Sequence, residues 1–156
     1  MMPPHDRLLS ALDQANVLSL ATVRPDGRPH VVPLWFLWDG EAIVVFSKAR
    51  AQKVRNLCID PRAMVAIGEP GIGQVALLEV SAEIHEAATF QATPVFARKY
   101  DERLAQLGLT KDAFFETYSV QIRLRPTRWL EWGGHRRAAS AGSSRTVPST
   151  HPGRPA

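Results

Sequence analysis

Apolar side chains fall in short runs along most of this chain, and the period of the runs changes from one to the next. Leu8, Leu9 and Leu12 are spaced i, i+1, i+4, which predicts a short amphipathic helix over residues 6–14. Three strand-like runs follow at 17–23, 29–38 and 42–46, broken by Pro25-Asp26-Gly27 and by Asp39-Gly40. An Asp-Gly pair between β-branched or aromatic runs signals a hairpin, because glycine accepts the positive φ that tight turns require. The first third of the chain therefore reads as an antiparallel meander.

After the third run comes Ser47-Lys48-Ala49-Arg50-Ala51-Gln52-Lys53, and then Val54, Leu57 and Cys58 recur at helical spacing until Pro61. Further strands are predicted at 63–67 and 75–87, joined by a Pro-Gly turn at 69–73. Thr93 as N-cap and Pro94 at the first helical position open a helix with Phe96, Tyr100, Leu104 and Leu107 on one face, and Gly108 ends it. Thr110 caps a shorter helix through Phe115. Two extended segments, 119–125 and 128–132, flank Pro126. Without βαβ alternation, six to seven strands predict a mainly β fold. We expect a small antiparallel barrel with an N-terminal helix, a short basic helix after the third strand and a late inserted helix pair.

Composition changes this picture at the C-terminus. Residues 133–156 are rich in Gly, Ser, Pro and Arg and nearly free of large apolar side chains, so they are expected to form a disordered tail behind one domain at 1–132. The formal net charge of +4 belongs to that tail, whose four arginines meet no acid; the rest balances 15 acids with as many bases. A nucleic-acid partner is therefore not expected. No apolar run is long enough for a membrane span or a signal peptide, and the single cysteine excludes an internal disulfide, so a cytoplasmic protein is expected. Cys58, beside Leu57, reads as a buried small apolar residue.

Two places carry candidate chemistry. Pro29 and Pro33, four apart, lack N–H groups on the same edge of their strand, while Val31 and Trp35 still offer theirs there. That edge suits a flat hydrogen-bonding ring, and equally a plain kinked edge strand. Ser47, Lys48, Arg50 and Lys53 gather at a helix start, where free N–H groups and the helix dipole favour an anion such as phosphate; a solvated basic turn is the alternative. The five histidines lack metal-ligand spacing, and no nucleophile elbow, P-loop or dinucleotide fingerprint occurs. No catalytic side chain and no metal ligand is assigned.

Arg24-Pro25-Asp26-Gly27-Arg28-Pro29-His30, Val32-Pro33-Leu34-Trp35-Phe36, Lys53-Val54-Arg55-Asn56-Leu57 and Asp60-Pro61-Arg62 together resemble the pyridoxamine 5′-phosphate oxidase-like family, whose fold is an FMN-binding split barrel. Within it the chain looks most similar to the F420-dependent oxidoreductases. The resemblance implies a split β-barrel homodimer with cofactor sites at its interface. It also implies an enzyme that passes a hydride from reduced F420 to a small organic substrate. FMN is the alternative cofactor, and a non-catalytic carrier of flavin, deazaflavin or haem the alternative role. It matches Lys53 to the family's phosphate-binding lysine, with Ser47, Lys48 and Arg50 assisting. Arg55 and Asn56 match the same motif or serve the structure alone. Backbone groups of Val31, Val32, Pro33 and Trp35 would hold the ring, with the Trp35 or Phe36 side chain as its wall unless these pack the core or a partner.

Overall fold

The computed structural model describes residues 6–68, 75–86 and 94–132. Its elements are α1 (Asp6–Gln14), β1 (Val17–Val23), β2 (Pro29–Trp35), β3 (Leu37–Trp38), β4 (Ile43–Ser47), α2 (Gln52–Ile59), β5 (Arg62–Ile67), β6 (Val75–Glu86), α3 (Pro94–Gln106), α4 (Lys111–Thr117) and β7 (Val120–Trp132). The predicted turn at 69–73, the Thr93 cap and the tail at 133–156 lie outside the described residues. Among those described, no helix is long and apolar enough to cross a membrane.

The seven strands pair antiparallel in the order β2-β1-β5-β6-β7-β4-β3. The first and last strands of that order are adjacent in the chain, separated by Phe36 alone. Successive Cα atoms are about 3.8 Å apart, so the two sheet edges must approach each other at this residue. The sheet consequently curls into a split half-barrel, the mainly β architecture expected. The predicted run at 29–38 changes ladder partner at Phe36, from β1 to β4, yet its side chains keep alternating. Val32, Leu34, Phe36 and Trp38 face the barrel core, while Trp35 and Leu37 belong to a second, aromatic cluster.

Both turns of the meander use glycine as the pattern requires: Gly27 has φ +84° and Gly40 φ +98°. Asp39 Oδ1 accepts the N–H groups of Glu41 and Ala42 in the second turn. The extended segments on either side of Pro126 form one strand rather than two. A register shift at Glu79/Val80 sets Glu79 opposite Arg128 and Val80 opposite Pro126, leaving Thr127 as the extra residue. Such a bulge lets proline sit inside a long strand without breaking it.

The core has two layers. Leu18, Leu20, Ile43, Val45, Val65, Leu78, Ile122 and Leu124 fill the barrel, closed by Leu8 and Leu12 of α1. On the outer side of β3 and β4, Leu37 and Val44 meet Phe96, Tyr100 and Leu104 of α3 and Phe114 of α4. β4 is thus covered on both faces, which explains its unbroken apolar sequence.

Two expectations are overturned here. Cys58 is exposed. Asn56 is fully buried by its bond to Thr22, which turns the inner face of α2 towards Asn56 and Leu57; at about 100° per residue Cys58 then rotates outward. Leu107 leaves the buried face of α3, being 61% exposed, because the helix ends at Gln106 and the chain turns at Gly108 with φ +69°. The N–H of Leu109 reaches back to the Leu104 carbonyl at 2.8 Å and satisfies the end of the helix. The cap at Thr110 is present, its Oγ1 accepting the Ala113 N–H at 3.2 Å.

Candidate functional site

β2 bonds only to β1, so its other edge is unladdered among the described residues. Every β2 residue from Pro29 to Trp35 is in register with β1. A proline cannot donate to that ladder, so Pro29 and Pro33 occupy positions whose N–H would point outward, and Val31 and Trp35 share their parity. The free edge therefore carries the N–H groups of Val31 and Trp35, interrupted by Pro33. Val31 is 61% exposed beside it. Val32 has the opposite parity: its side chain packs on the barrel core and its N–H faces β1.

At the His30 end of this strand, α2 brings Lys53 alongside. The Lys53 ammonium is half-buried, and burial alone lowers its pKa from the usual lysine value. No carboxylate pairs with it among the described residues. The pKa of His30 is lowered by burial first, then by the positive charges of Arg24 and Lys53. Three nitrogenous groups thus share one corner with no balancing acid among the described residues, the arrangement in which a bound anion gains most. Asp26 does not supply the balance, because it is engaged with its neighbour Arg28, whose Nε donates to Oδ2 at 2.8 Å.

A buried polar chain fixes the corner to the sheet. Asn56 Nδ2 donates to Thr22 Oγ1 at 2.9 Å, and Gln52 Nε2 donates to Asn56 Oδ1 at 2.7 Å. Thr22 lies opposite His30 in the β1–β2 register, and its Oγ1 is 3.5 Å from His30 Nδ1. Both Thr22 and Asn56 are buried, so removing either leaves the other's polar group unsatisfied. Arg55 lies on the outer side of this chain, exposed, donating to Gln52 Oε1 at 2.9 Å. Asn56 accordingly has a structural part in the corner, and Arg55 is tied to it.

The remaining predicted residues lead into α2. Ser47 ends β4, is buried, and donates its hydroxyl to the Lys48 carbonyl at 3.2 Å. Lys48 and Arg50 are exposed in the turn that follows. The helix starts behind Ala51, whose side chain offers no cap, so the first-turn N–H groups of α2 meet no side-chain acceptor there. Arg24 and His30 belong to the motif that carries the family resemblance, but the sequence assigns them no site role. The usable signal was pairing across the first turn, which sets residues 22 and 30 side by side.

At the other end of β2, about 17 Å from His30 at the rise of an extended strand, Trp35 belongs to an aromatic wall. Its ring stacks on Tyr100 at 5.0 Å and 8°. A cavity of about 250 Å³ opens here, bounded by Pro33 and Trp35 of β2 and by side chains of β4, α3 and α4. Phe36 is buried in the barrel core and also borders this cavity.

Elsewhere, Arg123 pairs with Asp39 at 2.7 Å and Arg125 with Glu83 at 2.7 Å on the outer surface of β7. No cluster of three or more metal-ligating side chains forms among the described residues.

Among solved structures the chain is similar to an F420 reductase, with 27% identity, a TM-score of 0.64, and coverage of 82% of this chain and 98% of that one. It is also similar to a conserved hypothetical protein of Mycobacterium tuberculosis, with 22% identity, a TM-score of 0.64 and 94% of each chain covered. A third likeness is to HutZ, the haem storage protein of Vibrio cholerae, with 18% identity, a TM-score of 0.59, and 83% and 95% covered. The last two likenesses show the fold alone. No curated protein sequence matches. The profile of the pyridoxamine 5′-phosphate oxidase family matches residues 4–133, and the chain belongs to that family.

Proposed function

We propose that this protein is an oxidoreductase that binds the deazaflavin F420 and uses its reduced form to reduce a small organic substrate. The observation that carries the reading is the half-buried Lys53, without a carboxylate partner among the described residues, beside Arg24 and His30 at one end of a strand edge whose other end opens into an aromatic cavity. The likeness to an F420 reductase supports the choice of deazaflavin. When bound, such a cofactor supplies the hydride chemistry, so the protein need only bind, orient and exclude water.

In this reading Lys53 pairs with the cofactor's phosphate, and Lys48 and Arg50 add charge from the turn before α2. Ser47 shapes that turn through its bond to the Lys48 carbonyl, and Arg55 keeps Gln52 and Asn56 in place. The N–H groups of Val31 and Trp35 hydrogen-bond the edge of the ring. Pro33 keeps the strand between them free of a competing donor, and Val32 anchors it to the barrel. FMN is the second reading, favoured by the same corner because it too ends in a phosphate.

A homodimer belongs to the proposal. Val17, Val23 and Val31 are each more than 40% exposed, and Val31 and Val23 lie on paired strands opposite Ala21 and Pro29. A second copy would cover this outer patch and close the cofactor site from above. A cytoplasmic setting suits a reduced cofactor and the exposed, unpaired thiol of Cys58.

The decisive experiment titrates the purified protein with F420 and with FMN by fluorescence, then follows oxidation of reduced F420 with enones, quinones and biliverdin. Binding of F420 with turnover supports the proposal. Preference for FMN moves the assignment to the second reading, and binding without turnover across the panel makes the protein a carrier.

A further inference from the structure

The α3–α4 pair does more than cover the barrel. It encloses the 250 Å³ cavity, whose walls include Trp35, Phe46, Phe96 and Phe114 with Leu37 and Val44. Among the described residues no charged side chain lines it. Among the same residues three lining side chains carry a polar atom: Tyr100, Tyr118 and, through its indole Nε1, Trp35. The Tyr100 hydroxyl is already committed: it accepts the Phe36 N–H at 2.7 Å and lies against the carbonyls of Phe36 and Asn16. Tyr118 is left with a hydroxyl that makes no hydrogen bond among the described residues.

The shape is as selective as the polarity. Trp35, Tyr100 and Phe114 on the wall are nearly parallel, Trp35 to Tyr100 at 8° and Trp35 to Phe114 at 17° and 6.5 Å, so a flat ring entering in that orientation continues their stack. Flat π-systems stack on such faces, whereas a branched aliphatic body does not. An apolar cavity of about 150 Å³ holds one benzene ring, so the larger space here suits two fused rings. Leu107 and Leu109, 61% and 41% exposed, stand on either side of Gly108 at the mouth. Their exposure gives the opening an apolar rim that strips water from an entering ring.

We propose that this cavity is a binding site for a neutral, flat, two-ring molecule with one oxygen that hydrogen-bonds to Tyr118. Pro33 and Trp35 lie both on the cavity wall and on the β2 edge, so a molecule seated there reaches the strand edge. That this molecule is the substrate reduced by the cofactor rests on the proposed function. That the cavity takes it rests on the walls alone.

The test uses cofactor-free protein and three probes of one size: naphthol, naphthalene and naphthalenesulfonate, with affinity measured by calorimetry and by quenching of tryptophan fluorescence. Naphthol is expected to bind at least about tenfold tighter than the sulfonate, because no charged side chain among the described residues lines the cavity and the nearby Arg103 guanidinium, 5.7 Å from the Trp35 ring centroid, is engaged over that ring. Tyr118→Phe is expected to weaken naphthol about fivefold, the worth of one hydrogen bond, and to leave naphthalene unchanged. Leu109→Trp, which fills the mouth, should abolish binding of both. No binding of naphthol, equal affinity for the sulfonate, or indifference to both variants in protein with an unchanged near-ultraviolet spectrum would overturn the proposal. F420 titration of the same samples separates the two claims, since naphthol binding without F420 binding removes the proposed function and leaves the cavity assignment standing.

Discussion

The hydroxyl of Tyr100 on α3 accepts the amide hydrogen of Phe36 at 2.7 Å, at the one residue where the barrel passes from its first edge strand to its last. Phe36 sits between two ladders, its chain having left β1 and not yet joined β4. Its backbone groups are buried there, and a buried amide without a partner is costly. Tyr100 supplies that partner from 64 residues away. Burial drives its phenol pKa far above the usual tyrosine range, so the hydroxyl keeps its proton and can also donate.

Tyr100→Phe should therefore lower unfolding stability by about 1–3 kcal/mol, because it leaves a buried N–H unsatisfied. Urea denaturation monitored by circular dichroism measures it. A loss within about 0.5 kcal/mol of zero, the usual range for surface changes, would mean that the amide at Phe36 finds another partner.

Lys53→Ala should weaken F420 and FMN by about 1.5–3 kcal/mol if the ammonium pairs with phosphate, the worth of a hydrogen bond to a charged group. Lys53→Arg should retain most of the affinity. An unchanged dissociation constant in the alanine variant would take Lys53 out of the site.

His30 makes cofactor binding depend on pH. In the free protein its pKa is held below the usual histidine value by burial and by Arg24 and Lys53. A phosphate in the corner favours the charged ring, so the bound form has the higher pKa of the two and binding takes up protons. Affinity should rise as pH falls through the bound-form pKa and level off below the free-form one. Comparison with His30→Gln isolates the ring, and identical pH profiles for the two proteins would exclude its participation.

Lys99 on α3 gives a second pH signature, in stability. Its ammonium lies 3.9 Å above the Phe36 ring and donates to the Leu12 carbonyl of α1 at 3.3 Å, and burial lowers its pKa to about 8. In the unfolded chain it titrates near the ordinary lysine value of 10.5. Between those values the unfolded state holds more protons, so stability relative to Lys99→Met should rise from about pH 8 upward and stay flat below it. Parallel melting curves of the two proteins across that range would contradict the assignment.

Much of this architecture was legible in the chain. Period-two and period-3.6 runs, two Asp-Gly turns and the Thr110 cap are local signals, set by backbone sterics and by which face meets water, so they placed the strands and helices nearly where they stand. The parity of Pro29 and Pro33 marked an open strand edge for the same reason, since a missing N–H is a property of the residue itself. Lys53 stood out because it follows a basic turn into a helix.

What tertiary structure alone decided depends on contacts between distant segments. The break at Phe36 exists because the sheet closes there, and nothing in the alternation of residues 29–38 announces a change of ladder partner. Cys58 faces outward because Asn56 found Thr22 across 34 residues. Arg24 and His30 join Lys53 only when β1, β2 and α2 converge, and the aromatic cavity forms only when α3 and α4 return to cover β4. Local sequence sets which face of each element is apolar, but which two faces meet is settled by the packing of the whole chain.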